Sequence, residues 1–120
     1  MAISSFKDLA RGYEKLLQNG YQYDVIIRAG EGNNFKEIHA HSLILSARSS
    51  YFNAALSSNW AKKEGNYYVF TKPNIPANLF EIILKYLYTT EIVLAKFDHV
   101  EAIKLLVAAD ELLLQNVTDK

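Results

Sequence analysis

The chain has 120 residues, enough for one domain with a single core, and its thirteen basic and thirteen acidic residues cancel to zero net charge. That balance excludes the concentrated positive field that non-specific nucleic-acid binding needs. With no cysteine in the chain, disulfides, cysteine-ligated zinc and thiol nucleophiles are excluded as well. No apolar run reaches the length of a membrane span, and the N-terminus lacks an apolar signal core. A soluble, cytoplasmic protein is expected, with the nucleus left open. A domain of this size gains from the added burial that oligomerisation brings. The eight tyrosines suit either half-exposed strand positions or a Tyr-rich interface.

Residues 5–18 predict an amphipathic helix. Phe6, Leu9, Tyr13, Leu16 and Leu17 recur at helical spacing as one stripe. Asp8 sits in the first turn, where the helix dipole favours an anion, and Asn19-Gly20 stops the helix. A helix this short is marginal alone, so its stripe must lie on something. Tyr23–Ala29 and Phe35–Ala40 predict a strand hairpin around the turn cluster Gly30–Asn34. The Gly-x-Gly of that turn is no phosphate loop, because neither a helix nor Lys-Ser/Thr follows it.

At Leu43 the period changes. Leu43, Ala47 and Ala54, with Leu45, Phe52 and Leu56, predict one helix over 42–57, with His41 or Ser42 near its N-cap. Small residues line it, among them Ser46, Ala47, Ser49 and Ser50, which lets another helix approach closely. A polar connection, Ser57–Asn66, carries Trp60. Tyr67–Phe70 predicts a short strand. Pro76 fits the first position of a central helix, 77–88, that is apolar nearly all round. Thr89-Thr90 ends it. Asp98 and Glu101 resemble a capping box opening a last helix whose apolar residues are Val100, Ile103, Leu106, Val107 and Leu112 to Leu114.

His41-x-x-x-Leu45-x-Ala47-x-Ser49-x-Tyr51-Phe52 resembles the signature of the BTB/POZ domain. Asp24-Val25, Tyr86-Leu87-Tyr88-Thr89 and Leu105-Leu106-x-Ala108-Ala109-Asp110-x-Leu112 are similar to other motifs of that family, in the same order. Each is weak alone; four in order are specific. The resemblance covers about residues 5–118. It implies an α+β fold, a cluster of helices flanked by a small sheet, with 5–19 as an N-terminal dimerisation helix and 23–118 as the core. The stretch Ala55–Tyr88 is similar to BTB domains heading multidomain fungal-type proteins with kelch or TLDc-like partners. This implies a single domain cut from a longer chain.

The family likeness, not the periodicity, implies a homodimer interface formed by Phe6, Leu9, Tyr13, Leu16, Leu17, Ser46, Ala47 and Ser50. It also implies a second partner, a cullin. In adaptor BTB domains a hydrophobic residue, any residue, then glutamate follow the Tyr-Phe helix. Here those positions are Trp60, Ala61 and Lys62, so the charge is reversed, with Glu64 two residues on. Leu56, Ser57, Asn59 and Tyr88 complete that expected cullin-facing set. In transcription-repressing relatives the residue matching Asp24 sits beside a basic residue just after the histidine. Here that residue is Ser42, which weakens a corepressor-recruiting alternative. Asp24 is expected to accept hydrogen bonds from backbone or hydroxyl groups instead.

Catalytic and metal chemistry find little support. His39 and His41, two apart on a strand, could face one metal, but no third ligand is recognisable. The rival reading is a local hydrogen bond of His41 at the strand–helix junction. None of Ser42, Ser46, Ser49, Ser50, Ser57 and Ser58 lies in a Gly-x-Ser-x-Gly elbow. Asp110 and Glu111 are helix neighbours that diverge by about 100°. The chain reads as a non-enzyme without cofactor, metal, nucleic-acid or membrane partner. Its role is to pair C-terminal domains, as a substrate adaptor for a cullin ubiquitin ligase or as a pure dimerisation domain.

Overall fold

The structure is a computed structural model and describes residues 6–58, 61–92 and 97–112. Among these the order is α1 (Phe6–Asn19), β1 (Val25–Ala29), β2 (Lys36–Ala40), α2 (Ser42–Arg48), α3 (Ser50–Ser57), β3 (Lys63–Glu64), β4 (Tyr67–Lys72), α4 (Ala77–Thr89) and α5 (His99–Leu112). The strands form one sheet in the order β2-β1-β4-β3. β1 pairs antiparallel with β2 and parallel with β4, opposite Tyr68 to Lys72. Parallel neighbours need a crossover, and α2 and α3 lie within it.

The hairpin turn depends on Gly30. Its φ is +75°, and a Cβ there would lie 2.2 Å from the carbonyl oxygen of Asn34. Only glycine fits so close a backbone approach. The turn itself is a single 3-10 turn, Gly32–Asn34. Strand alternation then sets the layers. Val25, Ile27 and Ala29 of β1 and Ile38 and Ala40 of β2 are buried against the helices. Arg28 and Glu37 lie on the outer face, where Arg28 reaches both Glu37 at 3.6 Å and Glu64 at 3.1 Å.

The core centres on α4. Leu79, Phe80, Ile83, Leu84 and Leu87 are buried there together with Phe52 of α3 and Leu105 of α5. Each such side chain contributes about 1.5–3 kcal/mol by leaving water. The helix opens one residue later than its sequence suggests: Pro76 is the N-cap, extended at ψ 145°, and Ala77 is the first helical residue. It closes on Thr90, which takes the left-handed conformation at φ +63°. At the other end of the chain, α1 closes on Gly20, whose N–H bonds the carbonyl of Leu16 at 3.0 Å.

Two further expectations need correction, and the face that α5 buries, which its spacing leaves open, is decided. The helix expected over 42–57 is two helices. Ser49 is extended (φ −138°, ψ 122°) between them, caps α3 by accepting the Phe52 N–H, and donates its hydroxyl to the Leu112 carbonyl. That long-range bond selects the break. The polar connection after α3 contains a strand, β3, pairing Lys63 with Tyr68 and Glu64 with Tyr67. Finally, α5 buries Leu105, Ala108 and Leu112 and leaves Val100, Ile103, Leu106 and Val107 exposed. Its rotation is set by the Ser49–Leu112 bond and by Glu111, which pairs with Lys72 at 3.0 Å and Asn74 at 3.3 Å. Burial pulls the Lys72 ammonium down, but hydrogen bonds to Tyr51 and Glu111 outweigh it and leave its pKa raised. The capping box is present, with Glu101 N–H on Asp98 at 2.8 Å and Asp98 N–H on Glu101 at 3.3 Å. Leu113 and Leu114 lie outside the described residues. No helix among the described residues is long and apolar enough to cross a membrane.

Candidate functional site

The stripe on α1 divides between two tasks. Ala10 is buried, and Leu16 and Leu17 pack against the core where α1 lies on α4. A Glu14–Lys85 pair at 3.3 Å braces the same contact. Leu9 and Tyr13 remain 57% and 40% exposed. Beside them α2 presents Leu43, 81% exposed, and the exposed Ala47. These residues, with Leu16, Ile44, Arg48 and Tyr88, line one apolar groove of about 430 Å³ between α1, α2 and the C-terminal end of α4. Arg48 closes its floor by donating to the Leu87 carbonyl at 3.0 Å, its guanidinium 5.8 Å from the Tyr86 ring centroid.

Of the residues expected at a dimer interface, Leu9, Tyr13, Leu16 and Ala47 come together on this groove. Leu17 turns instead toward α4 and the Ile38–His39 edge of β2. Ser46 and Ser50 do not line the groove; both are half-buried, and the Ser50 hydroxyl oxygen is buried with no hydrogen-bond partner among the described residues. The side chain of Phe6 lies outside the described residues. Leu43 joins this set although only its neighbour in phase, Ala47, is expected there from the family likeness.

Beneath the groove the signature residues build a polar junction. Asp24 accepts the Ser42 N–H at 2.7 Å and the Ser42 hydroxyl, so it supplies the cap that α2 lacks from His41. The hydrogen bonds expected at Asp24 are therefore present, and they come from Ser42 itself. The His41 carbonyl bonds locally, taking the Leu45 N–H at 3.0 Å, but the residue's N–H and ring reach distant partners. Its backbone N–H donates to the Tyr88 hydroxyl at 2.8 Å. Its Nε2 lies 2.7 Å from the Tyr21 carbonyl, which can only accept, so Nε2 carries the proton of the neutral ring and Nδ1 accepts the Tyr88 O–H at 2.7 Å. Burial pushes the Tyr88 hydroxyl above the usual tyrosine range, as does the Asp24 charge; the bond from the His41 backbone opposes them. Leu45 and Phe52 are in the core, Ser49 sits at the α2–α3 break, and Tyr51 lies edge-on to Phe52.

His39 and His41 do not share a site. His39 stacks on Tyr23 with ring centroids 3.8 Å apart, whereas both His41 nitrogens are engaged inward. Of the expected cullin-facing set, Tyr88 is the residue that turns away from the surface. Tyr88 is 4% exposed and belongs to the His41 junction and the groove wall, because burial and the hydroxyl bonds turn it inward. Leu56 packs on the core, Ser57 is exposed and Ala61 is half-buried. Lys62 is exposed, its carbonyl taken by the Val69 N–H at 3.0 Å. Asn59 and Trp60 lie outside the described residues. Glu64 is held by two bonds from Arg28, at 3.2 Å and 3.1 Å, and this hydrogen bonding keeps its carboxyl below the usual range.

A family model for the BTB/POZ domain matches residues 13–120. The chain belongs to the BTB/POZ family. This BTB domain is 37% identical over 94 residues, 77% of the chain, to the Inhibitor of Bruton tyrosine kinase from Xenopus laevis. It spans only 7% of that relative's length. Among solved structures it is similar to the BTB domain of zebrafish PATZ1, with a TM-score of 0.65 and 25% identity, covering 99% of this chain and 92% of that one. The BTB domain of human Gigaxonin gives the same TM-score and identity over 97% and 89%. Among the described residues the five α-helices and four-stranded sheet are those of the α+β fold expected, and the chain is a protein–protein interaction module.

Proposed function

We propose that this BTB domain homodimerises through the α1–α2 face and thereby pairs whatever is joined to it. The observation that carries the reading is the division of the α1 stripe. Leu16 and Leu17 already serve their own chain, yet Leu9, Tyr13, Leu43 and Ala47 form a further apolar face along a groove. A contiguous apolar surface of this kind marks an interaction site. A two-fold contact needs one self-complementary patch, which a ridge beside a groove supplies.

Leu9→Asp with Leu43→Asp tests it. Both side chains are largely exposed in the single chain, so the variant should keep its circular dichroism. Its mass by light scattering should fall to that of one chain. A folded variant of unchanged mass would defeat the assignment of the face.

A cullin contact through the α3–β3 connection has less behind it. Tyr88 is buried, Glu64 is occupied by Arg28, and Lys62 stands where a glutamate is expected. Lys62→Glu should strengthen binding to a cullin N-terminal region, by calorimetry, if that connection is used at all.

A further inference from the structure

The second apolar surface lies on α5, away from the α1–α2 groove. Val100, Ile103, Leu106 and Val107 are 59%, 61%, 50% and 67% exposed. Ile103 stands three residues after Val100 and four before Val107, so these three share one side of the helix; Leu106 flanks it, three after Ile103. This side is opposite Leu105, Ala108 and Leu112, which α5 buries in its own core. A helix apolar on both sides needs a second layer.

Two polar residues border the stripe on the Leu106 flank. Asp110 follows Ile103 by seven positions and Leu106 by four. His99 precedes the same residues by four and seven. Both are exposed, and neither pairs within the chain among the described residues. The acid is therefore at one end of the stripe and the base at the other.

We infer that α5 pairs antiparallel with α5 of a second copy, so that the dimers formed through α1–α2 assemble further. A two-fold axis between the helices places like flank against like flank. Midway between Ile103 and Val107 it sets each of these against the other in the partner helix, brings the two Leu106 side chains together, and places each Asp110 beside the opposite His99. Parallel pairing would instead carry the two flanks to opposite sides of the contact and leave each Asp110 without a His99 opposite it. The match of each Asp110 to a His99 thus selects both the partner and its direction. Two self-complementary faces on one chain build tetramers or longer rows. One 14-residue helix offers a modest contact, so the step belongs at higher concentration than dimerisation.

The test is sedimentation of the whole chain across a concentration series, from tens to several hundred micromolar. Weight-average mass should climb past the dimer. Ile103→Glu with Val107→Glu, both at exposed positions, should halt at the dimer with unchanged circular dichroism. Asp110→Lys should shift the climb to at least about tenfold higher concentration, and adding His99→Glu should restore it. A wild type that stays dimeric throughout would overturn the inference and hand the stripe to a different partner. A climb untouched by the glutamate pair would overturn the surface, and failure of the charge reversal to restore assembly would overturn the antiparallel pairing. A chain that is monomeric at tens of micromolar, yet loses all association with the α5 variant, would refute the α1–α2 dimer and leave α5 standing.

Discussion

Replacing Tyr88 by phenylalanine removes one oxygen and keeps the ring, so its effect isolates the hydroxyl that joins α4 to the β2–α2 junction. In the structure that oxygen accepts the His41 N–H at 2.8 Å and donates to His41 Nδ1 at 2.7 Å. Both residues are buried, at 4% and 8% exposure, so water is poorly placed to replace either bond. An orphaned buried donor or acceptor costs about 1–3 kcal/mol. Two on one histidine, which can relax together, give an expected loss of about 2–4 kcal/mol. With an unfolding entropy of about 2.1 cal/mol/K per residue over 120 residues, that lowers Tm by roughly 8–16 °C. Urea denaturation and a thermal scan measure it. Tyr86→Phe is the control, since Tyr86 offers its ring to Arg48; that change should stay within about 0.5 kcal/mol. If Tyr88→Phe costs no more than the control, the hydroxyl does not hold the junction and the account of His41 is wrong.

Leu84→Ala, at a side chain with no exposure, should cost about 2–5 kcal/mol in urea denaturation, and a cost under about 1 kcal/mol would contradict a central α4. Thr90→Gly should stabilise the protein by about 0.5–1 kcal/mol, because a β-branched residue is held at φ +63°; a loss would mean that its hydroxyl bond to the Thr89 carbonyl outweighs the strain. Asp24→Ala removes the acceptor of the Ser42 N–H and should cost about 1–2 kcal/mol, with hydrogen exchange accelerated in the first turn of α2.

The features legible in the sequence are those that local spacing controls. The α1 stripe, the β1–β2 hairpin around its turn cluster, the apolar α4 and the Asp98–Glu101 cap all rest on residues a few positions apart. What escaped depends on distant partners. Ser49 is an ordinary residue for a helix; it breaks one because its hydroxyl meets the carbonyl of Leu112, 63 positions on. His41 and Tyr88 are 47 positions apart, and no pattern near either announces the bond. α5 is apolar on two sides, so periodicity could not choose its buried face, and the contact with Lys72 and Asn74 chose it. The two-residue β3 is too short to alternate. Leu43 shares its phase with Ala47, an expected interface residue, but only the placement of α1 beside α2 makes it an exposed partner for Leu9 and Tyr13.

The α1–α2 face is proposed to join two copies of the chain. Sedimentation equilibrium of the wild-type protein at tens of micromolar addresses it most directly, since an extensive apolar interface holds at that concentration. The expected mass is twice that of the 13.6 kDa chain, falling to one chain in the Leu9→Asp, Leu43→Asp variant. A wild-type mass of one chain would contradict the proposal.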